Sequence, residues 1–163
     1  MDPKVSNLLL DRRWPKVEQV VREQGGDPAT DVWRKDLVVH ARILARPRVE
    51  ETPEGPKEAR DAYVFRMEFN DYDEHGPRTY ICNPEPPHET STNMKWYPDF
   101  TSGHPFTRAD FLCMPGDRRC QDAGNHPEWA KKPHYHPDAI IASLSDTLNW
   151  PTYKGRRKDD AAA

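Results

Sequence analysis

Apolar positions along the chain fall into two periodicities, and these set the predicted elements. From Val5 to Gln24, Leu9, Leu10, Trp14, Val17, Val20 and Val21 recur at helical spacing, and Gly25-Gly26 supplies a stop. Pro15 interrupts that stretch, so it either lies in the first turn of a helix beginning near Trp14 or kinks a longer one. Leu37 to Leu44 reads as a strand rich in Leu, Val and Ile. Ala62 to Asn70 alternates most cleanly: Tyr63, Phe65, Met67 and Phe69 share one face, opposite Val64, Arg66, Glu68 and Asn70. Arg78 to Cys82 is a third short strand, and Met94 to Tyr97 is a candidate fourth. Near the end, Ile140, Ile141, Leu144 and Leu148 line one face of a helix over Ala139 to Asn149, started by Pro137 or Asp138 and stopped by Pro151.

Between these elements the chain is punctuated by turn residues. Arg46 to Arg60 reads as a long exposed connection, Asp71 to Pro77 as a turn, and Asn83 to His88, with three prolines, as irregular. Met114 to Tyr135 is loop-like in composition. A helix, an antiparallel meander of three to four strands, a long irregular segment and a closing helix describe an α+β domain. Residues 1–158 are expected to form one domain and 159–163 a frayed tail.

Composition refines this picture. The 163 residues are 35% hydrophobic and 31% charged, with 17 prolines, so the core is compact and much of the chain is solvated loop. Five tryptophans and six tyrosines argue against disorder. A net charge of -3 gives no general attraction to nucleic acid, and the clusters Arg118-Arg119 and Arg156-Arg157-Lys158 are short. No apolar run approaches a membrane span, and the N-terminus lacks the apolar core of a signal peptide. Three cysteines, an odd number, do not suit a secreted disulfide framework, so a cytoplasmic location with free thiols is expected.

Chemistry-bearing residues concentrate in the last third. His104-Pro105-Phe106 lies nine positions before Cys113, which sits within Phe111-Leu112-Cys113-Met114. Trp129 then leads through Ala130, Lys131 and Lys132 to Pro133, and the final helix closes on Leu148-Asn149-Trp150-Pro151. This order resembles the catalytic half of the ubiquitin-conjugating enzymes, which place a His-Pro-Asn tripeptide about ten residues before the active cysteine and a Trp-Pro pair after it. The resemblance covers Val5 to Pro151 and is concentrated in the last third. It implies a UBC-like fold with a long active-site loop. It further implies a transferase that carries a ubiquitin-like modifier as a thioester on Cys113, with His104 as the accompanying site residue and no cofactor. The implied partners are the modifier, its activating enzyme and an acceptor protein. Within that reading His104 orders the loop by hydrogen bonding, and Cys82 and Cys120 are structural; Cys120, which follows Arg118-Arg119, is the alternative working thiol.

With three departures, one of them a spacer between Cys113 and Trp129 longer than is usual, the chain looks like a remote member of prokaryotic type. Phe106 stands where the family has the Asn thought to stabilise the oxyanion, and Phe offers no side-chain donor. Trp150 stands where an acid or small polar residue commonly precedes the late proline. Backbone amides near Cys113, Asn125 or His104 are the substitutes for the missing donor, and Asp117, Asp122 and Asp146 are candidates for taking the acceptor's proton. Arg118 and Arg119 would lower the thiol pKa if they pointed inward.

Two rival readings remain open at this point. A non-catalytic binding module on the same fold is favoured by Phe106. A zinc-binding domain is suggested by Cys113, Cys120, His126, His134 and His136 within a short span, although their spacing fits no standard zinc pattern.

Overall fold

A computed structural model describes residues 2–72, 74–91, 93–101, 112–122, 126–129 and 131–157. The chain opens with helix α1, Pro3–Glu23. Asp2 caps its N-terminus through a 2.8 Å bond from the Lys4 N–H, and Gly25, at φ 77°, turns the chain at the other end. The helix continues through Pro15, which is neither its start nor its stop. Pro15 lies on the exposed side, where water can satisfy the carbonyl left without a partner. Leu10, Val17 and Val21 are buried, with Leu9, Trp14 and Val20 packed against the same core.

After a single helical turn, α2 (Pro28–Asp31), come strands β1 (Val32–Lys35) and β2 (Val38–Leu44). Strands β3 (Arg48–Thr52) and β4 (Gly55–Ala59) then form a separate hairpin. The long connection expected over 46–60 thus contains two paired strands, with no residue of either fully buried. The hairpin buries neither face, so its sequence carries no apolar alternation, and Gly55 at φ 109° provides its turn. Strands β5 (Ala62–Glu68) and β6 (Arg78–Cys82) complete a four-stranded antiparallel sheet in the order β1-β2-β5-β6.

The register divides that sheet into two faces. Val39, Ala41 and Ile43 of β2 pair with Met67, Phe65 and Tyr63 of β5, and all six are buried. Against this face lies α4, Pro137–Leu148, whose Ile140, Ile141, Leu144 and Leu148 are fully buried; α1 packs on α4 in turn. Each such side chain contributes about 1.5–3 kcal/mol of transfer free energy. On the opposite face, Trp33, His40, Arg66 and Tyr80 stand side by side across the four strands.

Two other expectations change. Met94 to Trp96 is a 3-10 turn rather than a strand, and the strand, β7, follows at Pro98–Phe100. β7 pairs antiparallel with β8, Tyr153–Arg156, in a small second sheet. The Tyr153 hydroxyl donates to Asp61 at 2.7 Å and lies 3.0 Å from the Tyr63 hydroxyl, tying β8 to the main sheet. The stretch 114–135 also holds more order than its composition suggests: helix α3 (Arg118–Asp122) and 3-10 turns at Pro127–Trp129 and Lys132–Tyr135. No helix among the described residues is long and apolar enough to cross a membrane. The expected tail, 159–163, lies outside the described residues.

Candidate functional site

Burial separates three successive residues, Leu112, Cys113 and Met114. Leu112 and Met114 are buried at 1% and 3% exposure, while Cys113 between them is half-buried. Cys82 and Cys120 are both buried. Of the three thiols, Cys113 is therefore the one that solvent reaches.

The segment is fixed by a turn directly after it. Gly116 adopts φ 86°, and a Cβ there would lie 2.0 Å from the His134 carbonyl oxygen. A Cβ on Gly76 would lie 1.8 Å from the Gly116 oxygen. Glycine at both positions is required by this close backbone approach. Asp117 follows, with no exposure. Its carboxylate accepts from the Thr79 N–H at 2.8 Å and from the Cys120 N–H at 3.0 Å, while the Arg118 N–H donates to the Pro77 carbonyl at 2.9 Å. The loop is thus bolted to the start of β6, and the first turn of α3 is capped by the same carboxylate.

Burial raises the Asp117 carboxyl to about 6, although the hydrogen bonds from Thr79 and Cys120 act against that rise. Burial also pushes the Cys120 thiol up to about 12, helped by its contact with Cys113, and the Cys82 thiol up to about 11. Cys113 and Cys120 face each other, with their Sγ atoms 3.2 Å apart.

The charged candidates have other employment. Arg118 pairs with Asp71 at 2.5 Å, and Arg119 lies over the Tyr80 ring, 4.6 Å from its centroid. Arg118 thus ties α3 to the turn between β5 and β6, and Arg119 ties it to β6. Asp117 is a sealed structural carboxylate. Asp122 is exposed, 3.8 Å from Arg118. Asp146 is exposed on α4 and lines an open hollow of about 360 Å³ together with Pro115, His134, Ala139, Ala142 and Ser143. That hollow begins two residues after Cys113. His104, Phe106 and Asn125 lie outside the described residues.

The histidines expected as zinc ligands are dispersed. His126 is exposed and stacks on Trp129 at 3.9 Å between ring centroids. His134 donates from Nδ1 to the Trp129 carbonyl at 3.1 Å, and His136 Nδ1 is 2.6 Å from the Tyr72 hydroxyl. Trp129 thereby joins His126 and His134 within the segment between α3 and α4. Among the described residues no three His, Cys, Asp or Glu side chains come together in a way that could hold a metal ion.

Sequence reasoning missed Asp117 as a structural pin and Cys120 as the neighbour of Cys113. An Asp directly after Pro115-Gly116 and before Arg118-Arg119-Cys120 is an N-cap signal, which could have found the first. No family model and no curated protein matches the chain.

Proposed function

We propose that the chain is a divergent ubiquitin-conjugating-type transferase that carries a ubiquitin-like modifier as a thioester on Cys113. The observation that carries this reading is the contrast among the three cysteines. Cys113 alone is partly exposed, presented on a segment pinned by Gly116 and Asp117, while Cys82 and Cys120 are buried with raised pKa values. An N-terminal helix, a four-stranded antiparallel sheet and a closing helix are compatible with a UBC-like architecture.

In the loading step the Cys113 thiolate attacks the thioester carbonyl at the modifier's C-terminus on the activating enzyme. A new C–S bond forms, the old one breaks, and the activating enzyme's sulfur leaves as a thiolate. Thioester exchange is nearly balanced in energy, so the thiol needs exposure more than strong activation. An acceptor amine then attacks the same carbonyl and expels Cys113. The hollow bounded by Pro115 and α4 offers a place for the modifier's extended end or the acceptor, with the exposed carboxylate of Asp146 among its lining residues.

Incubation with a ubiquitin-like modifier, its activating enzyme and ATP should give an adduct that thiols cleave. Cys113→Ala should abolish it, and Cys82→Ala should leave it intact. Adduct retained by Cys113→Ala would refute the assignment.

A binding module on the same fold is the second reading, favoured by Phe106 in place of the oxyanion-stabilising Asn. It predicts modifier binding with no thiol-sensitive adduct.

A further inference from the structure

Two thiols in direct contact, one reachable and one sealed behind it, form a unit that a single transferable cysteine does not require. We propose that Cys113 and Cys120 are a modification site for peroxide-class oxidants, closing reversibly into an intramolecular disulfide.

The Sγ atoms are 3.2 Å apart, and a disulfide bond of about 2.05 Å requires them to close by about 1.2 Å. Asp117 holds the Cys120 N–H in α3, whereas Cys113 lies outside any helix or strand, so the approach comes from the Cys113 side. The Pro115–Gly116 turn already brings the two residues face to face across a seven-residue separation. The third thiol is elsewhere: Cys82 sits in β6, registered opposite Val64 of β5.

Exposure assigns the order of events. Cys113 is half-buried and meets the oxidant; Cys120 is 1% exposed and resolves. The Cys113 thiolate attacks a peroxide oxygen, the O–O bond breaks, and a sulfenic acid forms with release of water or an alcohol. The Cys120 sulfur then attacks the Cys113 sulfur. The S–S bond forms, the S–O bond breaks, and the Cys120 proton leaves with the hydroxyl as water. Two thiols are oxidised, one peroxide is reduced, and a dithiol reductant restores both thiols by exchange.

The disulfide itself is independent of the transferase reading. Its consequence rests on that reading: oxidation removes the acceptor sulfur, so thioester formation stops under peroxide and returns on reduction, and Cys113 is spared from irreversible over-oxidation.

The test is to treat the full chain with hydrogen peroxide and follow intact mass and tryptic peptides. Arg118 and Arg119 lie between the two cysteines, so trypsin leaves them on separate peptides that only a disulfide joins. The expected result is a loss of two hydrogens, a Cys113–Cys120 linked pair, and full reversal by dithiothreitol. Cys120→Ala, shown by its melting curve to be folded, should instead accumulate sulfinic acid on Cys113 several-fold faster than the parent chain. Sulfinic acid on Cys113 of the parent chain with Cys120 still reduced, a link to Cys82, or no reaction of Cys113 would overturn the proposal. These outcomes need no modifier, so a failed thioester assay beside a formed disulfide sinks only the transferase reading.

Discussion

Asp117 holds Thr79 by a 2.8 Å hydrogen bond to the Thr79 backbone N–H, with the carboxylate itself removed from solvent. The bond joins the loop behind Cys113 to the start of strand β6, and the other carboxylate oxygen caps α3 at the Cys120 N–H. Asp117→Ala leaves two buried donors without acceptors, at about 1–3 kcal/mol each. Denaturant unfolding should show a loss of about 2–6 kcal/mol; a change within experimental error would mean that the loop does not depend on this pin.

The same carboxyl gives the chain a pH signature. Its folded pKa, about 6, lies above the ordinary carboxylate value. Between about pH 4 and 6 the unfolded chain has released this proton while the folded chain keeps it. The contribution of Asp117 to stability is therefore full in acid and declines as pH rises through that window, by up to about 3 kcal/mol. Asp71, lowered by its Arg118 partner, acts in the opposite sense, so the quantity to measure is the difference between the parent chain and Asp117→Asn. That difference should change across pH 4–6 and flatten above it. A flat difference throughout would contradict the raised pKa.

Glycine substitutions separate crowding from backbone strain. Gly116→Ala and Gly76→Ala each force a Cβ to within about 2 Å of a backbone oxygen, which needs movement of the main chain. Gly25→Ala meets no atom within 4 Å and pays only for its positive φ, about 1–2 kcal/mol. Melting curves should rank Gly25→Ala far above the other two. Equal losses at all three positions would remove the argument for close packing behind Cys113.

The core helices carry an interior ion pair. Arg13 of α1 makes a two-pronged contact with Asp138 in the first turn of α4, at 2.6 and 2.8 Å, with the two side chains 25% and 12% exposed. Asp138→Ala should cost about 1–3 kcal/mol, discounted for partial solvent screening, and the double variant with Arg13→Ala should cost less than the sum of the singles. Strict additivity would show that the pair is incidental.

The elements legible in the sequence were those with one buried face. β2 and β5 alternate because their inner side chains meet α4, and α4 itself shows its stripe from Ile140 to Leu148. The β3–β4 hairpin was illegible because neither of its faces is buried, and its pairing is a backbone matter that Val49, at 69% exposure, does not reveal. β7 and β8 escaped because they are short and pair across more than fifty residues. At the site, Cys113 stood out through its spacing from His104-Pro105, which lie outside the described residues, and not through its apolar neighbours Leu112 and Met114. A carboxylate such as Asp117 normally marks surface, and its burial depends on donors from β6 that are remote in sequence. For the same reason the nearness of Cys120 follows from the turn at Gly116 and the cap on α3, and from no pattern in the cysteines.

One thiol standing open while two are sealed is the claim from which the rest proceeds, and brief alkylation of the native chain by iodoacetamide, read by peptide mapping, measures it. Cys113 should be labelled first and nearly completely, while Cys82 and Cys120, buried and with pKa values raised to about 11 and about 12, react only after unfolding. Labelling of Cys120 or Cys82 ahead of Cys113, or of none of the three before unfolding, would contradict the account.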